Sequence, residues 1–133
     1  MTGLVLIVDD NPINLKLASE VLLAGAYTVV RAVDAEQAQL LLTTMMPDLI
    51  LMDIALPGMD GLTLTKLIKT DARLRHIPIV ALTAYAMRGD DLKASAAGCD
   101  GYITKPIDTR LLAGQVSAII DAARIRQVRD ESA

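Results

Sequence analysis

The sequence predicts a doubly wound α/β domain, with five parallel strands in one sheet and five helices covering its two faces. Two observations carry this expectation. Short apolar runs alternate with stretches of helical periodicity, and such runs read as strands buried on both faces. Four of the runs also end in a polar signature. These are Asp9-Asp10 after Leu4-Val5-Leu6-Ile7-Val8, Asp53 after Leu49-Ile50-Leu51-Met52, Thr83 after Ile79-Val80-Ala81-Leu82, and Lys105-Pro106 after Tyr102-Ile103-Thr104. Open α/β sheets bind ligands outside the carboxyl ends of their strands. The predicted fold therefore gathers three carboxylates, a hydroxyl and an ammonium at one rim.

The elements follow in order, with boundaries good to a few residues: strands at about 4–8, 27–31, 49–53, 78–82 and 101–104, and helices at about 12–24, 35–45, 61–69, 90–97 and 107–127. Helix 1 opens with Asn11-Pro12, a capping residue followed by a proline at the first helical position. Its Leu15, Ala18 and Leu22 repeat at helical spacing, and Gly25 ends it. Pro47-Asp48 separates helix 2 from strand 3, and Pro57-Gly58 with Asp60-Gly61 makes a turn-rich loop just after Asp53. Leu112, Val116, Ile119 and Ala123 form one stripe of helix 5. Strands alternating with helices in this way predict a parallel sheet covered on both sides. Residues 1–123 are expected to form the domain and residues 124–133 a polar helix end or fraying tail.

The chain has 133 residues, which suits one domain, and its 53% hydrophobic content supplies a sizeable core. With no Trp or Phe, that core must be built from aliphatic residues and Met. A net charge of -3 argues against nucleic-acid binding through the general surface. A single Cys excludes an internal disulfide framework and fits a reducing compartment. No apolar stretch approaches the roughly 18 residues of a membrane span, and the acidic start does not resemble a secretion signal. The expected location is the cytoplasm.

The motifs together resemble the receiver domain of two-component response regulators. They are Val-Asp-Asp at 8–10, Leu-Met-Asp at 51–53 followed by Pro57-Gly58-Met59-Asp60-Gly61, Ala81-Leu82-Thr83-Ala84, and Lys105-Pro106. Each is weak alone; in this order and spacing they are specific, and they cover about residues 4–120. The resemblance implies a five-stranded flavodoxin-like receiver fold. Thr83-Ala84-Tyr85-Ala86-Met87 and Gly98-Cys99-Asp100-Gly101-Tyr102 look most like stand-alone receivers and those of hybrid sensor kinases. Ile107-Asp108-Thr109-Arg110 lacks the pattern of receivers joined to winged-helix DNA-binding domains.

By this resemblance Asp53 is the phosphoacceptor, forming an acyl phosphate through a carboxylate oxygen. Asp10 and Asp53 would ligate Mg²⁺ directly, Asp9 largely through water, and Ala55 through its main-chain carbonyl. Lys105 would pair with Asp53 and then with a phosphoryl oxygen. A cis bond between Lys105 and Pro106 is common in the family and would aim the lysine inward. Thr83 and Tyr102 would form the switch, the tyrosine turning inward as the threonine moves to the phosphoryl group. Ala55, with no polar side chain, and Tyr85, a shield against water, imply slow to moderate hydrolysis of the acyl phosphate. The implied partners are a sensor histidine kinase or histidine phosphotransfer protein and a downstream protein target, with no nucleic acid or membrane involved.

The blander readings remain in view. Single aspartates at strand ends are usually turn formers, and a lone lysine there is usually solvated. His76 reads as a surface loop residue, Cys99 as a small buried residue, and Arg124, Arg126 and Arg129 as a solvated helix end. No Gly-rich phosphate loop or zinc-type cluster is present. A relay intermediate and a fragment of a hybrid kinase compete with a stand-alone switch, which the position of Met1 and the polar end favour. A flavodoxin-like ligand-binding domain would need a Ser/Thr/Gly-rich first loop in place of Asp9-Asp10-Asn11-Pro12. An aspartyl-phosphate hydrolase would need a second acid at Ala55, and a pseudo-receiver has no use for the intact acidic set.

Overall fold

The computed structural model describes residues 3–83 and 89–132. Its elements are β1 (Leu4–Val8), α1 (Pro12–Ala24), β2 (Thr28–Ala32), α2 (Ala35–Leu42), β3 (Leu49–Asp53), α3 (Gly61–Thr70), β4 (Ile79–Thr83), α4 (Asp90–Ala97), β5 (Gly101–Thr104) and α5 (Leu112–Ser132). The strands are all parallel, in the order β2-β1-β3-β4-β5. The expected doubly wound α/β class is the one observed.

Successive side chains of a strand point to opposite faces, and this alternation sorts the core into two layers. Val5, Ile7, Leu49, Leu51, Val80, Leu82 and Ile103 pack against Leu15, Ala18 and Leu22 of α1 and Leu112, Val116 and Ile120 of α5. On the other face, Leu6, Val8, Ile50, Met52 and Ile79 pack against Ala35, Ala38 and Leu42 of α2 and Leu64 and Ile68 of α3. β3 and β4 are buried along their whole length because they are central. Both end in polar residues, which the packing places at the rim.

Local signals explain the helix starts. The Asn11 side chain accepts from the amides of Ile13 and Asn14 at 2.9 and 3.2 Å, ahead of Pro12. The Asp34 side chain accepts from Gln37 N at 2.7 Å, and Gln37 Oε1 in return accepts from Val33 N at 2.7 Å. This reciprocal pair closes two unsatisfied amides at once. Asp60 caps α3 by accepting from Thr63 N at 2.8 Å.

Two helices depart from the expected bounds. Helix 2 stops at Leu42, where the Thr43 hydroxyl donates to Leu40 O at 2.6 Å and Pro47 follows shortly. Helix 5 begins at Leu112 instead of 107, because Asp108 folds residues 108–111 into a turn. Its side chain accepts from Arg110 N at 2.9 Å, and its carbonyl from Leu111 N and Leu112 N at 3.1 Å each. Helical structure continues through Ser132. No Gly or Pro follows Gly114, and Arg124 and Arg126 reach Asp48 and Asp100 at 3.7 and 3.6 Å.

The end of the sheet opposite the rim is tied by Asp100. Its Oδ2 accepts from Lys69 Nζ at 2.9 Å and from Ile79 N, the first amide of β4, at 2.8 Å. Lys69 also donates to the carbonyls of Arg75 and Ile77 at 3.2 and 2.8 Å. One lysine thus joins the end of α3, the following loop and the turn before β5. Among the described residues, no helix is long and apolar enough to cross a membrane. Substituting Asp100→Ala leaves Lys69 and Ile79 N short of an acceptor. It is expected to lower stability by about 1–3 kcal/mol, read as the midpoint of urea unfolding.

Candidate functional site

Asp9 follows β1 and Asp53 ends β3, the two strands at which the strand order reverses. Adjacent parallel strands in this order leave a crevice between their carboxyl ends. Asp9 is fully buried and Asp53 almost so, at 0% and 3% exposure, whereas Asp10 is exposed. The carboxylates of Asp9, Asp10 and Asp53 each offer an oxygen within 4.8 Å of the others. Three clustered carboxylates of this kind can hold a hard divalent cation.

Backbone amides orient the two buried acids. Asn11 N donates to Asp9 Oδ1 at 2.9 Å, and Ala55 N donates to Asp53 Oδ1 at 3.0 Å. Each bond runs from the residue two positions on, a local turn that Asp makes readily. The sequence reading gave Ala55 a carbonyl role and an apolar side chain that slows hydrolysis, and gave Asn11 its capping role, but assigned neither amide to an aspartate. The signal was the shared spacing, an aspartate at each strand end with a loop residue two ahead. Ala55 itself is exposed, as its position on the loop requires.

Lys105 follows β5 and is held by its own amide, which donates to Thr83 O at 2.6 Å. Its ammonium lies 3.2 Å from Asp53 Oδ2 and 3.8 Å from Asp9 Oδ2. The Lys105–Pro106 peptide bond is cis. Thr83 is fully buried, and among the described residues its hydroxyl has no hydrogen-bond partner. Asp9 Oδ2 is likewise buried without one. Buried polar atoms are rarely left in this state. An unpartnered hydroxyl and an unpartnered carboxylate oxygen at one rim are the polar groups that a phosphoryl oxygen and a cation would complete. This is the fit expected for Mg²⁺ at the acidic end of the site.

The structure therefore brings together Asp9, Asp10, Asp53, Ala55, Thr83 and Lys105. Tyr102, on β5 three residues before Lys105, stands apart with 49% exposure. Tyr85 and Met87 lie outside the described residues. His76 is exposed in the loop before β4. Cys99 is half-buried beside Thr65, with Sγ 3.9 Å from its hydroxyl, and burial pushes its thiol above the ordinary range. That favours the protonated, unreactive form.

The family model described as the response regulator receiver domain matches residues 5–117. The chain belongs to this family. The receiver is 47% identical over 107 residues to the polar-differentiation response regulator DivK of Brucella ovis, covering 80% of this chain and 87% of that one. It is also similar to the solved receiver domain of the sensor histidine kinase PA1611 from Pseudomonas aeruginosa PAO1, whose structure has a magnesium ion coordinated in the active-site cleft. The two share 33% identity with a TM-score of 0.83, covering 91% of this chain and 99% of the other. The signal receiver domain of a signal transduction histidine kinase from Syntrophus aciditrophicus gives 31% identity and a TM-score of 0.83, over 90% and 91% of the two chains. The receiver is thus a signalling domain of two-component systems.

Burial raises the pKa of Asp9 from its ordinary 3.8 to about 6; the Asp53 carboxylate adds to the rise, and the Asn11 amide and Lys105 oppose it. The folded receiver holds this proton more tightly than the unfolded chain. The resulting cost to stability is absent below pH 3.8, grows with rising pH, and is complete above about 6. Asp9→Asn removes the ionisation. Without divalent cation it is expected to stabilise the fold by about 1–3 kcal/mol at pH 7 and to give no gain near pH 4. Thermal unfolding at the two pH values checks this; equal melting of variant and wild type at pH 7 would refute it.

Proposed function

We propose that the receiver takes a phosphoryl group from a phosphohistidine of a partner protein onto Asp53. The observation that carries this reading is the near-buried Asp53 carboxylate held between the Ala55 amide and the Lys105 ammonium. An Asp53 oxygen attacks phosphorus, the phosphorus–nitrogen bond breaks, and the imidazole leaves and takes up a proton. The product is an acyl phosphate. Lys105 offsets the repulsion between the attacking carboxylate and the phosphoryl oxygens. The Thr83 hydroxyl donates to a phosphoryl oxygen, a bond its lack of a present partner leaves it free to make. Asp10, Asp53 and the Ala55 carbonyl would hold Mg²⁺ here, with Asp9 contributing largely through water. The bound Mg²⁺ supplies positive charge against the phosphoryl oxygens.

The face beside the acidic site favours a protein donor. Ile13, at the start of α1, is 75% exposed, and with Pro12 and Leu17 it forms an apolar groove flanked by Lys16 and Glu20. A donor helix presenting its histidine to Asp53 would cover this groove. A sensor histidine kinase or histidine phosphotransfer protein has the required chemistry, and the cytoplasm is the compartment for it. The output is a shift of the surface formed by α4, β5 and α5, with Tyr102 moving from its exposed position as Thr83 engages the phosphoryl group, so that affinity for a downstream protein changes. Relay to a second histidine is the competing output; the likeness to histidine-kinase receivers supports it.

Radiolabel transfer tests the reading. Asp53→Asn is expected to abolish labelling by acetyl phosphate and by a phosphohistidine protein, with the fold kept. Ile13→Ser is expected to slow transfer from the protein donor by about tenfold, as loss of an interface anchor does, and to leave acetyl phosphate labelling unchanged. A wild-type receiver that never labels overturns the proposal. The apolar Ala55 position also leaves no side chain beside Asp53 to orient water, so the acyl phosphate is expected to persist for minutes or longer. Loss of label within seconds would contradict this.

A further inference from the structure

Gly61 is the first residue of α3 and is buried. A β-carbon at this position would lie 2.2 Å from the Asp53 carbonyl oxygen, 2.9 Å from its carbon and 2.8 Å from Ile54 Cα. All three are backbone atoms, so no side-chain rotation can relieve the contact. The start of α3 therefore rests directly on the peptide that follows Asp53. The Gly61 amide also donates to Ile54 O at 3.3 Å, closing the base of the loop between β3 and α3. Within that closed loop sits Ala55, whose amide holds Asp53 Oδ1. Gly58, in the same loop, has a different role. Its φ is +71° and a β-carbon there would meet nothing within 4 Å, so it serves the turn and not the contact.

We infer that Gly61 is a positioning residue for phosphoryl transfer. Its missing side chain lets α3 seat against the backbone of Asp53, and that seat sets Ala55 against the Asp53 carboxylate. The inference rests on the reading of Asp53 as phosphoacceptor. Any β-carbon at 61 lifts α3 away from β3 and carries the loop with it. The effect reaches the acid site through Ala55, both through its amide and through the carbonyl proposed to face Mg²⁺. A displacement of about 1 Å at a reacting group can cost on the order of 100-fold in rate.

The test compares Gly61→Ala with Ile68→Ala in the intact chain. Ile68 is buried on the same helix, two turns from the loop, so its truncation lowers stability without touching the seat. Each protein is labelled with acetyl phosphate at several Mg²⁺ concentrations, at a temperature where circular dichroism shows it folded. Mg²⁺ binding is followed separately by the amide resonance of Ala55. Gly61→Ala is expected to slow labelling at saturating Mg²⁺ by about tenfold or more, and to raise the Mg²⁺ concentration that half-shifts the Ala55 resonance. Ile68→Ala is expected to change neither. A folded Gly61→Ala with wild-type rate and Mg²⁺ response overturns the inference, as does an equal loss in Ile68→Ala. If Gly61→Ala does not fold in plain buffer, Asp60→Ala is added. That variant keeps the glycine and its seat and so serves as a second control expected to label at the wild-type rate. Gly61→Ala itself is then refolded with a stabilising osmolyte such as sucrose, all proteins being compared in that medium, and a wild-type rate and Mg²⁺ response there overturn the inference. Failure of the wild type to label at all overturns the phosphoacceptor reading with it, whereas a labelled wild type with an unaffected variant overturns only the role of Gly61.

Discussion

The Lys105 ammonium lies 3.2 Å from Asp53 and 3.8 Å from Asp9, and it faces more negative charge than it can neutralise. Two carboxylates withdrawn from water, with a third exposed beside them, are costly to ionise together. The protein offsets part of that cost with two backbone amides, from Asn11 and Ala55, each taken by one oxygen. Asp9 Oδ2 is left unpartnered, and the Asp9 proton is held up to about pH 6. The rim is therefore short of positive charge in a defined place. That shortage makes it a receptor for a cation, and a cation in turn makes it a receptor for an anion.

Burying these carboxylates requires a sheet covered on both faces. The apolar layers formed with α1 and α5 on one side and α2 and α3 on the other leave no path for water along β1 and β3. Only the strand ends are open. The far end is closed by Lys69 and Asp100, which tie α3, its following loop and the start of β4. The polar groups of the far end are thus bonded to one another, whereas the rim carries groups that are poorly satisfied. β5 links the site to the surface, since Tyr102 and Lys105 are separated by only two residues and the Lys105 amide is bonded to Thr83 O.

Elements with strong local punctuation were legible from the residues alone. α1 runs from Pro12 to Ala24 as read, because Asn11-Pro12 and Gly25 act on their own neighbours. β3 and β5 likewise have the bounds their apolar runs indicated. The start of α5 was not legible, because Ile107 continues the apolar periodicity and only the turn made by Asp108 shows that residues 108–111 precede the helix. The end of α2 was misplaced for a related reason. Leu41, Leu42, Met45 and Met46 look continuous in sequence, but the Thr43 hydroxyl turns back onto Leu40 O. In both cases a side chain competed for backbone groups, which hydrophobic periodicity does not register.

The sequence by itself determined the class of fold and the chemical inventory of the site. Both follow from short-range facts: which runs are apolar, and which polar residues end them. Tertiary structure decided how that inventory is used. It made Asp9 the fully buried acid and Asp10 the exposed one, a distinction two adjacent aspartates cannot carry in sequence because neighbours leaving a strand face opposite ways. It left the Thr83 hydroxyl without a partner among the described residues, which no local sequence signal announces. It also brought Gly61 against the peptide of Asp53, a contact set by how α3 seats on the sheet. Distances between groups far apart in the chain are fixed by packing, and packing is a property of the whole fold.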